Sequence, residues 1–145
     1  MKYSKATDYA LHTMMHLSNV PAGQTMGVVP LAEAQDVSAT YLSKILTKLV
    51  KAGLIESAPG VNGGYKIRKR AEDASFLDVI HAVEGEMSLF SCTADHVELK
   101  EDEDCLIAEV MDEAELHMKQ FLGRKLIKDV ARKFNERHAV TFSDS

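Results

Sequence analysis

Apolar residues recur every three or four positions through several stretches of the chain, and each such stretch predicts an amphipathic helix. Residues 4–20 place Ala10, Met14 and Leu17 on one side, with Leu11 and Met15 beside them, and Pro21, Ala22 and Gly23 close the segment. Pro30 then suits the first turn of a short helix running to about Gln35, because its missing N–H is not needed there. Asp36 and Val37 predict a tight turn and Ser38 an N-cap. The helix that follows spans residues 39–52, with Leu42, Ile45, Leu46 and Leu49 at the i, i+3, i+4, i+7 spacing of a buried stripe and Gly53 as its stop.

Beyond Gly53 the period changes. Residues 54–57 and 65–68 read as two strands, and Asn62-Gly63-Gly64 between them supplies the positive-φ positions of a hairpin. A short helix over residues 75–83 closes at Gly85. Residues 87–104 show no period. A long helix over 105–122 carries Ile107, Met111, Ala114, Met118 and Phe121 at spacings of 4, 3, 4 and 3, a heptad-like seam. A last helix is expected over 124–137, with a frayed tail. The fold class implied is mainly α with a small β-wing: a winged helix-turn-helix over residues 1–85, a cysteine-containing loop over 86–104, and a dimerisation helix with a C-terminal helix over 105–137.

Charge changes this picture. The 145-residue chain has a net charge of −5, which argues against a nucleic-acid partner until the chain is divided. Residues 1–70 hold nine Lys/Arg against four Asp/Glu, a net +5, and residues 71–145 hold eight against eighteen, a net −10. Affinity for phosphate follows the local potential, so the front half is the candidate DNA face. On the 39–52 helix the positions outside the apolar stripe are Thr40, Tyr41, Ser43, Lys44, Thr47 and Lys48. The N-terminal part of such a helix reads bases, which selects Ser38, Thr40, Tyr41 and Lys44. Lys48 and Lys51, further along, are assigned to phosphate. In the wing, Asn62, Gly63 and Gly64 carry little side chain and can approach a minor groove, while Lys66, Arg68, Lys69 and Arg70 add electrostatic grip.

No catalytic signature is present, and the glycine-rich segment lacks the strand-then-helix context of a phosphate loop, so an enzyme is not expected. No apolar run approaches the ~20 residues of a membrane span. The N-terminus carries Asp8 and His12 where a signal peptide would be apolar, and a cytoplasmic location is expected.

The segment from VVPLAEAQDVSATYLSKILTKLVKAGLIE through GGYKIRKR to SFLDVIHAVEG, with MKYSKATDYALHTMMHL at the start, resembles the Rrf-two family of bacterial regulators typified by IscR, NsrR and CymR. The resemblance covers about residues 1–136. It implies a homodimeric winged-helix transcription factor, usually a repressor, that reads a pseudo-palindromic operator in double-stranded DNA, with the helix from Cys105 as its dimerisation helix. Pro59 stands where members that recognise an iron–sulphur-linked site often carry Arg.

Cluster-holding members generally place three cysteines between the AVEG segment and the dimerisation helix. Cys92 and Cys105, with twelve residues between them, match the first and last, and the middle one has no counterpart. The remaining ligands in such relatives vary, in some cases coming from the partner's first helix. Asp8 and His12, one helical turn apart, would complete a [2Fe–2S] site with the two thiolates. Thiol chemistry is the rival: Cys92 and Cys105 could form a disulfide without a cofactor. The acidic run at residues 101–104 raises the Cys105 thiol pKa and a helix N-terminus lowers it. A cofactor-free regulator controlled by a protein partner, and a winged-helix module that binds protein instead of DNA, are the further alternatives. His96 is a reserve ligand, His117 is expected at the dimer interface, and His81 and His138 have no partner at ligand spacing.

Overall fold

Ser4, Ser38 and Ser75 each start a helix by accepting a backbone N–H with the side-chain oxygen. The computed structural model describes residues 3–61, 63–86 and 106–143, with side chains described as far as His138. Helix α1 spans Lys5–Ser18, α2 Val28–Ala34 and α3 Ala39–Lys51. The turn between α2 and α3 depends on Asp36, whose φ of 52° is left-handed, and α3 is stopped by Gly53 at φ 77°. Strands β1 (Ile55–Ala58) and β2 (Gly64–Ile67) form an antiparallel hairpin in which Glu56 faces Lys66 and Ser57 faces Tyr65. A single 3-10 turn, Lys69–Ala71, leads into α4 (Phe76–Glu84), then α5 (Leu106–Arg124) and α6 (Ile127–Ser143). This is the expected mainly helical winged helix.

The core lies where α1, α3 and α4 meet the wing and the start of α6. Met14, Leu31, Leu42, Leu46, Leu49 and Val79 are fully buried there, joined by Ile55 and Ile127. Burial of one such side chain is worth about 1.5–3 kcal/mol, so the stripe of α3 alone fixes how that helix rolls on α1.

Several details depart from the sequence reading. Among the described residues of the hairpin turn the left-handed one is Gly60, at φ 103°, and neither Gly63 nor Gly64 takes a positive φ. Each strand sits one residue closer to the turn than expected. The connector before α2 is not idle: Met26 exchanges backbone hydrogen bonds with Tyr65 at 3.0 and 2.8 Å, adding a one-residue third strand. Gly64 makes this possible, because a Cβ there would stand 2.7 Å from the Met26 carbonyl carbon. Helix α6 begins at Ile127 instead of 124, since the Lys125 carbonyl accepts from the Phe76 N–H and the Ile127 N–H donates to the Ala74 carbonyl. It continues to Ser143, through a stretch with neither Gly nor Pro to stop it.

A carboxylate ties the end of α4 back to the start of α1. Glu84, the last residue of α4, accepts from the Ser4 N–H at 2.8 Å and from the Thr7 hydroxyl at 2.7 Å. These bonds, led by the Ser4 N–H, hold the Glu84 carboxyl below the ordinary carboxylate range. Its stabilisation is therefore complete at neutral pH and is lost as the pH falls below 4.5 toward the folded-state value. Glu84→Gln is expected to lower stability by about 0.5–1 kcal/mol in urea denaturation at neutral pH, solvent screening the carboxylate's bonds, with the difference from wild type shrinking as the pH falls below 4.5. Gly64→Ala is expected to be destabilised by about 1–3 kcal/mol in the same measurement, because the new methyl group must displace the Met26 backbone.

Candidate nucleic-acid interface

The buried stripe of α3 dictates what its other face shows. With Leu42, Ile45, Leu46 and Leu49 against the core, Thr40, Tyr41, Lys44, Thr47 and Lys48 are exposed. Not all the hydroxyls there are free to donate. Ser43 donates to the Ala39 carbonyl at 2.8 Å and Thr47 to the Ser43 carbonyl at 2.9 Å, both within the helix. Ser38 accepts from the Tyr41 N–H at 3.1 Å and keeps its proton. Thr40, Tyr41 and Lys44 are left as the groups most available to a base edge, and Lys44 has no ion-pair partner among the described residues.

The wing cations are less available than their number implies. Lys66 lies 3.6 Å from Glu56 across the hairpin, and the Arg68 guanidinium 3.9 Å from the other oxygen of the same carboxylate. The basic run also divides. Lys66 and Lys69 border a recess of about 600 Å³ with Glu56 and Glu72, whereas Arg68 and Arg70 border a second, of about 630 Å³, with Lys51.

The glycines of the turn have a structural task in addition to any approach to DNA: a Cβ on Gly63 would stand 2.2 Å from the Ala58 carbonyl oxygen. Asn62 lies outside the described residues. Val61, which the sequence reading passed over, is fully exposed at the tip, and an apolar residue in a polar turn was the available signal.

Asp8 and His12 are brought together on the exposed side of α1, with His12 Nδ1 3.3 Å from the Asp8 carboxylate and 2.9 Å from its carbonyl oxygen. His16, one turn on, has its pKa lowered by burial and then by the charge of His12, and its ring packs edge-on against Phe134 of α6. Among the described residues no three His, Cys, Asp or Glu side chains gather as a metal site. Cys92, Cys105 and His96 fall outside them.

Along α5 no residue is buried. Met111 and Met118 are partly covered, the latter near the Tyr3 hydroxyl at 3.8 Å, while Ile107, Val110 and Phe121 are 68, 65 and 52 % exposed. His117 pairs with Glu113 at 3.8 Å on the helix surface. No helix among the described residues is long and apolar enough to cross a membrane.

An exposed helix held by a tri-helical core, with a hairpin wing beside it, defines a winged helix-turn-helix protein, the fold of many DNA-binding regulators. The chain belongs to the Rrf2 family, described as iron-dependent transcriptional regulators, whose pattern matches residues 3–133. It is similar to the helix-turn-helix-type transcriptional regulator YffB of Lactococcus lactis subsp. lactis (strain IL1403), with 39 % identity over 90 residues. That alignment covers 62 % of this chain and 58 % of the relative, so the chain spans less than two thirds of that protein's length. A second regulator of this type, YwgB of Bacillus subtilis (strain 168), is 29 % identical over 137 residues, covering 94 and 88 % of the two chains.

Among solved structures, CymR, the global cysteine regulator of B. subtilis, superposes with a TM-score of 0.76 at 25 % identity, covering 92 % of this chain and 98 % of that one. IscR of T. potens superposes with a TM-score of 0.75 over 94 and 90 % of the two chains, at 22 % identity, a likeness of fold. The family and these relatives are transcription regulators, not enzymes.

Lys44→Ala is expected to weaken binding to a specific duplex more than to random DNA, measured by fluorescence anisotropy. Lys66→Ala should weaken both alike and only slightly, because Glu56 already neutralises part of its charge. Glu56→Gln, which frees both wing cations, should tighten both. A larger loss from Lys66→Ala than from Lys44→Ala would contradict the assignment.

Proposed function

We propose that this protein is a homodimeric transcriptional repressor that binds a pseudo-palindromic operator and releases it in response to iron–sulphur or thiol chemistry at Cys92 and Cys105. The observation that carries the DNA half of this reading is the outer face of α3, where Thr40, Tyr41 and Lys44 stand exposed and outside the core. Lys48 and the wing would hold phosphate on either side. Residues 1–85 form the DNA-binding unit in this reading, 86–104 the sensing loop, 105–137 the dimerisation and C-terminal helices, and 138–145 a tail into which α6 extends.

Dimerisation is supported by α5. A helix with Leu106, Ile107, Val110 and Phe121 exposed leaves apolar surface that a second copy would cover. Two such domains related by a twofold axis would place their reading helices on half-sites about one helical turn apart.

The donor set fits a two-iron cluster in type, with two soft thiolates, an imidazole and a carboxylate. Asp8 and His12 are adjacent and exposed on α1, so a subunit opposite could present Cys92 and Cys105 to them. When bound, the cluster would supply a redox- and oxidant-sensitive charge. The chain's own contribution is to hold an imidazole beside a carboxylate on a helix pinned at its N-terminus by Glu84.

Reconstitution with iron and sulphide under anaerobic conditions is expected to give a coloured protein with about two irons per monomer, lost in Cys92→Ser and in His12→Ala. Binding to the DNA upstream of the chain's own coding region should then differ between the loaded and iron-free forms, and weaken steeply with salt. A colourless protein whose DNA affinity changes on thiol oxidation would assign the response to a Cys92–Cys105 disulfide instead. A colourless protein indifferent to both treatments would contradict the sensing half of the proposal and point to control by a partner protein.

A further inference from the structure

One contact joins the first helix to the reading helix by aromatic rings. Tyr9 of α1 and Tyr41 of α3 meet edge to face, with centroids 5.7 Å apart and ring planes at 79°. The two residues differ in setting. Tyr9 is partly buried and packs against the core. Tyr41 is 36 % exposed and sits in the first turn of α3, the turn that enters a groove when such a helix reads DNA.

Exposed tyrosines lose rotamer freedom when a partner binds, and one already held loses less. The holding element is itself anchored. Two residues before Tyr9, the Thr7 side chain is 1 % exposed and donates to Glu84, which also takes the Ser4 N–H. Edge-to-face geometry places the positive ring edge of one tyrosine against the negative face of the other, so the contact prefers one relative orientation instead of merely filling space.

We propose that Tyr9 is a positioning residue for DNA recognition: its ring holds Tyr41 in one orientation, so the Tyr41 hydroxyl meets the duplex preformed. This rests on the reading of α3 as the recognition helix and deepens it. The Tyr41 hydroxyl both donates and accepts, and can meet a base edge, the kind of contact that carries sequence information. Preforming one side chain of this kind is worth roughly two- to tenfold in affinity.

The test uses full-length protein and the tightest duplex that the wild type selects from a random pool, with affinities measured by fluorescence anisotropy. Tyr9→Ala is expected to weaken binding to that duplex by roughly two- to tenfold while leaving affinity for random DNA unchanged. Tyr9→Phe, which keeps the ring, should bind as wild type. Tyr9→Leu, which fills the core but lacks the ring, should behave as Tyr9→Ala and serves if the alanine variant does not fold.

In a Tyr41→Ala background, Tyr9→Leu should cause no further loss. That result separates a positioning role from a structural one, which would lower affinity in either background. Equal losses with and without Tyr41, or wild-type binding by Tyr9→Leu, would overturn the proposal. So would a Tyr41→Ala variant with full affinity; a loss in Lys44→Ala would then leave the reading helix standing, and no loss there would remove both.

Discussion

Burial of one stripe on α3 is the constraint from which the rest follows. Leu42, Ile45, Leu46 and Leu49 go inward against α1 and the wing, and at 3.6 residues per turn this choice sends Thr40, Tyr41, Lys44 and Lys48 outward. Rolling the helix by a quarter turn would bury a lysine and expose a leucine, losing several kcal/mol in each respect. The proposed reading surface is thus set by the core beneath it. Ser38 and Gly53 then fix the two ends of the rod, so that its length and its entry point are defined as well.

Electrostatics refines that surface. The chain is acidic overall, yet its first 70 residues are basic, and Lys44 stands without an ion-pair partner among the described residues. The wing is tempered: Glu56 sits between Lys66 and Arg68, which restrains the nonspecific hold that four cations would otherwise give. On the proposed reading of α3, a free cation on that helix and a shared one in the wing favour sequence discrimination over general adhesion to phosphate. In the proposed dimer the exposed apolar side of α5 belongs to the same logic, because two reading helices at a fixed separation would discriminate far better than one.

Much of this was legible in the sequence because it depends on short-range rules. The period of Leu42 to Leu49, the cap at Ser38, the stop at Gly53 and the presence of a glycine-rich hairpin turn all act within a few residues, although the left-handed position of that turn is Gly60 and not Gly63 or Gly64. What could not be read depends on partners far apart in the chain. The Met26–Tyr65 bridge arises from a close approach that only Gly64 permits. Glu84 reaches Thr7 across 77 positions, and Tyr9 meets Tyr41 across a helix interface. The pairing of Glu56 with two wing cations needs the register of the hairpin, which a one-residue shift of the strands would alter. Asp8 and His12 were placed on one helix face correctly from their spacing, whereas what meets that face depends on residues beyond those described.

Hydrogen–deuterium exchange on the protein alone and bound to its selected duplex tests the central claim most directly. The account predicts added protection in peptides covering residues 38–48 and in the wing, with α6 unchanged. Protection confined to α5 and α6, with the 38–48 segment exchanging as in the free protein, would contradict it.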